Sequence, residues 1–336
     1  MRPHPKAPSH LSLAWRVVLS CLVLPTLGFG QQVIWDNSSA NNSWNTGANW
    51  STGVVPDSTS NVQFNATETD AVVNDISLAG TRNANTLTYN DVDDTFSIIN
   101  GSGNRTLNLT SGDITRTAGS SGVQTIANST LALGSSSLMD ISGSGNLTIS
   151  AKITGTGVDL TKSGTGELIL SGANTFSGGT TVTAGTLTLA GTTALASGSN
   201  LTLSGGTLKL STTSVTLNTL TVTANSTIDF GGANATLNLS NLSIAGGVTL
   251  NIINWVAATD AFITAAWAGV TKDTSGVGAP LNQVVFANFT GDNTSWLSVD
   301  NSIRPVPEPS TYGAILLSLT TGLMFWRRQR LSRRTA

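Results

Sequence analysis

Cysteine and histidine are missing from almost the whole chain. Cys21, His4 and His10 all fall within the first thirty of its 336 residues. From Gln31 to Ile303 there is no thiol to cross-link, although disulfides are the usual reinforcement of small exported domains. The same stretch cannot build a histidine-dependent triad or a zinc site from Cys and His. Positive charge is scarce there too. Seven basic residues face seventeen acidic ones, a net charge of −10 where the whole chain reads −2. So acidic a surface repels phosphate backbones, which argues against a nucleic-acid partner. Aromatics make up only 6% of the chain, so a buried core has to be assembled from aliphatic side chains. No catalytic residue, cofactor or metal ligand is assigned, and no enzyme activity is expected.

What the chain has instead is alternation. From about Thr106 to Leu250, bursts such as Leu107-Asn108-Leu109, Leu131-Ala132-Leu133 and Leu208-Lys209-Leu210 place an apolar residue at every second position. A period of two marks strands with one buried face. Gly, Asn and Ser separate the bursts, as in Ser142-Gly143-Ser144-Gly145, and supply turns. Many short strands can close as a sandwich or a barrel. Three features favour a parallel β-helix: the strands are very short, Gly and Asn punctuate them closely, and aliphatics, Thr and Asn recur as stacked ladders of like side chains require.

Residues 106–250 are therefore read as β-helix coils, 31–105 as an N-terminal cap with the first coils, and 251–304 as a C-terminal cap. Trp35, Trp44 and Trp50 stand among Asn, Ser and Gly. They have two readings: a cap that hides open strand edges and core, or a glycan contact, because aromatic faces stack on sugars. Trp255, Trp267, Phe286, Phe289 and Trp296 are assigned to the second cap, and 257–270 is expected to hold the one helix of the body. Asp91-Val92-Asp93-Asp94 offers oxygen ligands for calcium but lacks the loop glycine and distal glutamate of an EF-hand, so a solvated acidic turn is expected. Asp140, Asp159, Glu167 and Asp229 are spread singly, whereas a glycoside hydrolase needs two carboxyls brought together.

The two ends differ from the body. Arg2, Lys6 and Arg16 precede an apolar run from Val17 to Leu24, then Pro25 and Gly28-Phe29-Gly30. This is the layout of a secretory signal peptide over 1–30, with cleavage expected near Gly30-Gln31. A loose lipobox, Val18-Leu19-Ser20-Cys21, is the alternative, with Cys21 as a lipidated N-terminus. At the other end, 305–336 holds Pro305-Val306-Pro307-Glu308-Pro309, an apolar run from Tyr312 to Trp326, and then Arg327, Arg328, Arg330, Arg333 and Arg334. Apolar side chains favour hydrocarbon and the arginines favour the cytoplasmic face. The run falls short of the roughly 20 residues of a full span, so a short, transient transmembrane helix is expected.

This tail resembles the PEP-CTERM sorting domain of Gram-negative bacteria, on Pro307, Glu308 and Pro309, the short apolar helix, and Arg327, Arg328 and Arg330. The resemblance implies processing by an exosortase, a transient inner-membrane stay, and onward transfer to the outer surface, often alongside extracellular polysaccharide. A second resemblance lies over 162–190. Lys162-Ser163-Gly164-Thr165-Gly166-Glu167-Leu168, then Asn174-Thr175-Phe176-Ser177-Gly178-Gly179, then Gly185-Thr186-Leu187-Thr188-Leu189 resembles the autotransporter-associated β-strand repeat, also called the passenger-associated transport repeat. It implies an all-β, right-handed parallel β-helix in a secreted surface protein. Within this segment Gly164, Gly166, Gly172, Gly178, Gly179 and Gly185 are expected to take positive φ at tight corners. Leu168, Leu170, Val182, Leu187 and Leu189 are expected to point inward, and Asn174 and Thr175 to occupy a corner.

Overall fold

The alternating bursts fold as strands whose apolar residues share one interior. In Thr106–Leu109, Glu167–Leu170 and Thr207–Leu210 half-exposed and buried positions alternate without a break. The computed structural model describes residues 30–65, 74–90, 95–232, 234–270, 275–276, 281–287, 289, 294–297 and 299–305. The chain divides into two units, Met1–Gly30 and Gln31–Ala336, and the fold given is that of the second. The signal peptide, the Asp91–Asp94 turn and the sorting residues of the tail lie outside the described residues. Among those described, no helix is long and apolar enough to cross a membrane.

Three parallel sheets carry the coil. An eleven-stranded sheet runs from Gln32–Trp35 to Ala261–Trp267, a ten-stranded sheet from Asn74–Leu78 to Val284–Phe286, and a four-stranded sheet from Arg82–Ala84 to Lys152–Thr154. Every pairing within them is parallel. Successive strands of one sheet are one coil apart, with strands of the other sheets between them. That is a parallel β-solenoid, as the short strands and ladder-forming composition predict. Sandwich and barrel are excluded by the pairing. Among the described residues the antiparallel strand pairs are confined to Ser275–Gly276, Thr294–Trp296 and Ile303–Pro305, with isolated antiparallel bridges at Trp35–Trp50 and Ile263–Ser302.

The core is a set of aliphatic ladders. Leu147, Leu168, Leu187, Leu208, Ile228 and Ile252 are successive register partners in the ten-stranded sheet, and none is exposed. Burying each aliphatic side chain contributes about 1.5–3 kcal/mol. The inward expectation for Leu168, Leu170, Val182, Leu187 and Leu189 holds at every position.

Two expectations are corrected. The segment 257–270 is no helix: Ala261–Trp267 is a strand, parallel to Thr236–Ile244, with Leu237 beside Phe262 and Leu242 beside Trp267. Its period of two, with Phe262 and Thr264 inward, completes the eleven-stranded sheet. The only helical turns among the described residues are the short 3-10 turns Gly47–Asn49 and Leu281–Gln283. The coil also runs past residue 250, because Leu250–Ile253 and Val284–Phe286 continue the ten-stranded sheet.

Both ends are closed. Ser51 covers the outer edge of the first strand: its N–H donates to Ile34 O at 2.8 Å and its hydroxyl accepts from Ile34 N at 3.0 Å. Trp44 N donates to Ser77 O at 3.1 Å and Ser77 N to Asn42 O at 2.8 Å, which covers the first strand of the ten-stranded sheet. At the far end Thr264 N donates to Asn301 O at 3.0 Å, beside an antiparallel bridge between Ile263 and Ser302. Open edges of this kind invite pairing with another chain.

Ladder packing is tested by Leu187→Ala. Denaturant melts are expected to show a loss of about 2–5 kcal/mol, whereas Thr186→Ala on the outer face should stay within about 0.5 kcal/mol of wild type.

Candidate functional site

The tryptophans are core, not surface. Trp35, Trp44 and Trp50 are 5%, 0% and 1% exposed. Trp50 lies edge-on between the other two, with ring centroids 4.9 Å from Trp35 and 4.8 Å from Trp44. Its Nε1 donates to Trp44 O at 2.8 Å. The buried Asn49 beside them donates from Nδ2 to Asn41 Oδ1 at 2.7 Å and to Ser43 O at 3.0 Å. A sugar stacks on an open ring face, and none of these indoles offers one. Their packing is that of the cap.

The single carboxylates are tied to the scaffold. Asp159 Oδ1 accepts from Gly179 N at 2.7 Å, Glu167 Oε1 from Thr188 Oγ1 at 2.5 Å, and Asp229 Oδ1 from Gly231 N at 2.8 Å and Asn254 Nδ2 at 2.6 Å. Asp140 stands on a different strand, beside Thr115 and Ser163. Among the described residues no group of three or more His, Cys, Asp or Glu could hold a metal ion. A cleft of about 410 Å³ opens near the C-terminal closure, lined by residues including Trp255, Asp260, Asp300 and Arg304. Its charges are engaged as well. Asp260 accepts from Ala235 N at 2.9 Å and Val256 N at 2.7 Å, and Asp300 pairs with Arg304.

The unusual chemistry lies inside the coil. Arg116 and Lys162 are both fully buried. Each ends or nearly ends a strand of the eleven-stranded sheet, where the chain turns toward the ten-stranded sheet. Lys162 Nζ donates to Ser163 O at 2.6 Å, Gly164 O at 2.8 Å and Ala184 O at 3.3 Å. Arg116 Nη2 donates to Ser120 O at 2.7 Å and Gly122 O at 2.9 Å, Nη1 to Ser142 O, and Nε to the buried Gln124 side chain. Tight turns aim backbone carbonyls inward, where each needs a donor. The two cations supply those donors at the same corner of different coils. Burial pushes the Lys162 ammonium down from an ordinary 10.5 to about 8, partly opposed by the Asp140 charge.

The following corner is built differently. Asn174 is buried, accepts from Ile153 N at 2.7 Å through Oδ1, and donates from Nδ2 to Ala194 O at 2.6 Å. It joins three successive coils. The glycines around it divide by role. Gly164 and Gly185 have positive φ, at 71° and 64°. Gly172 and Gly178 are instead required by close approach: a Cβ there would stand 2.2 Å from Ala151 O and 2.1 Å from Val158 O. A Cβ at Gly179 would come no nearer than 3.6 Å to any atom. Positive φ was expected at all six and is found at two of them.

The buried cations were visible in the sequence only by phase. Leu160-Thr161-Lys162 and Ile114-Thr115-Arg116 both place the cation on the inward beat of the alternation. Comparison with known proteins falls on the coil of Lys162 and the one after it. The fold defines the class, a parallel β-solenoid, and the model of the passenger-associated transport repeat family matches residues 160–189. No curated protein and no solved structure matches the chain.

Three results are expected. Lys162→Met strands three buried carbonyls and should cost about 1–3 kcal/mol. In the wild type the folded amine loses its proton near pH 8 and the unfolded one near 10.5. Between those values the unfolded chain binds more protons, so stability rises with pH across the window; chemical denaturation over that range should show the rise, and Lys162→Met should flatten it. Gly178→Ala should destabilise by about 2 kcal/mol or more, whereas Gly179→Ala should stay within about 0.5 kcal/mol by the same measurement.

Proposed function

We propose that the chain is an exported, non-catalytic surface protein. A signal peptide over 1–30 carries it across the inner membrane. The tail over 305–336 holds it there until an exosortase acts near Pro307-Glu308-Pro309, and the acidic solenoid passes to the outer surface. There it serves the envelope, adhesion or an extracellular polysaccharide matrix. The observation that carries this reading is the passenger-associated transport repeat at 160–189, set within a parallel solenoid whose two ends are closed. Closed ends favour a protein that stays separate while it waits at a surface. The scaffold bonds of Asp159, Glu167 and Asp229 support a structural rather than a catalytic role.

The test is fractionation of the host expressing either the full chain or a chain truncated after Arg304. The full chain should be recovered at the cell surface with Gln31 or a close neighbour as its N-terminus and without its arginine cluster. The truncated chain should escape to the periplasm or medium. Unprocessed full chain in the cytosol would contradict the reading.

A further inference from the structure

The outward face of the eleven-stranded sheet carries an unbroken column of hydroxyls. Thr161, Thr181 and Thr202 are successive register partners, and Thr202 continues to Thr221 and Ser243. Five consecutive coils therefore present a hydroxyl at one position, without a register slip along that column. Ser163 and Ser204, two residues further along their strands, add hydroxyls beside Thr161 and Thr202. Among the described residues the five hydroxyls of the column have no hydrogen-bond partner in the protein, and all five residues are half-buried at the surface.

Charge is confined to one end of this face, where Asp140 stands beside Ser163 and the exposed Asp159 precedes Thr161 by two residues. Between Thr161 and Ser243 the sequence holds four charged residues, Lys162, Glu167, Lys209 and Asp229. Lys162 points into the core, and the other three sit on outward positions of the ten-stranded sheet. The only aromatics in the same stretch, Phe176 and Phe230, are fully buried. From Thr181 to Ser243 a charged ligand finds no counter-charge, and a sugar finds no ring to stack on. What the face offers is a column of hydroxyls, four of them paired with a methyl, with the serine hydroxyls of two coils beside it. Threonine is stiff at χ1, so the array is ordered before anything binds, and little entropy is lost on binding.

The dimensions of that array name its occupant. Adjacent strands repeat at about 4.8 Å, and alternate residues of one strand at roughly 6.6 Å. The oxygen repeats of hexagonal ice along its a and c axes are close to these two spacings. From the constant register, the free hydroxyls and the uncharged run from Thr181 to Ser243, we infer that this face binds ice. Its threonine methyls and hydroxyls order water at the spacing of the crystal surface and adsorb the protein to it. The inference rests on the sheet and is independent of the export reading.

The test is thermal hysteresis with the full chain, with the shape of a seeded ice crystal recorded in the same drop. Hysteresis and a faceted crystal are expected. Thr181→Lys with Thr202→Lys should abolish both. Thr207→Lys with Thr227→Lys, which places the same charges on the ten-stranded sheet, should leave them unchanged. Circular dichroism melts verify that each variant folds, and Thr221→Lys alone is read in place of the first variant if that one does not. Three results would overturn the inference: no hysteresis in the full chain, equal loss in both double variants, or adsorption to a neutral crystalline polysaccharide that Thr181→Lys blocks while ice growth is unaffected.

Discussion

Every part of this structure depends on one coil lying in register on the next. The backbone hydrogen bonds between coils and the aliphatic ladders beneath them impose the same requirement, since a slip of one residue would turn every inward side chain outward. Leu147, Leu168, Leu187, Leu208, Ile228 and Ile252 keep that register through six coils of one sheet. With no cysteine between Gln31 and Ile303 to cross-link it, the body relies on this repetition. Surface amide pairs assist: Asn85 Nδ2 donates to Asn61 Oδ1 at 2.9 Å, and Asn108 Nδ2 to Asn83 Oδ1 at 2.8 Å.

The cost of so narrow a coil falls at its corners. Short strands joined by glycine turns bring carbonyls into the interior, and an unpaired buried carbonyl is destabilising. Three solutions appear along the chain. Arg116 and Lys162 each collect several carbonyls of the turns near them, and Asn174 pairs with the coils before and after its own. Two of the three lie in the passenger-associated transport repeat at 160–189. Read physically, that segment is a well-satisfied corner set, with Gly172 and Gly178 admitting neighbouring backbone where any side chain would collide.

Much of this was legible in the sequence, because strand alternation and glycine punctuation are local. The inward residues and the parallel coil follow from period and strand length. What local pattern could not reveal was tertiary. Ala261–Trp267 resembles a helix in its run of alanines, yet an open sheet edge beside Thr236–Ile244 draws it into a strand. Gly166, Gly172, Gly178 and Gly179 were expected to serve φ, but at Gly172 and Gly178 the constraint comes from a coil some twenty residues away. The indoles of Trp35, Trp44 and Trp50 favoured a cap over a sugar platform from the sequence, and only the fold shows how completely they are buried. The hydroxyl column of Thr161, Thr181, Thr202, Thr221 and Ser243 is invisible along the chain and emerges only when coils are stacked.

The absence of cysteine from the body makes the register directly measurable. With Cys21 replaced by Ser, cysteine pairs can be introduced at Thr161 and Thr181, one coil apart, or at Thr161 and Thr202, two coils apart. Neighbouring strands sit about 4.8 Å apart, inside the range that a disulfide spans, and two coils at roughly 9.6 Å lie outside it. In-register stacking predicts rapid, complete oxidation of the first pair and none within a molecule for the second. Failure of the first pair to close, or closure of the second, would contradict it.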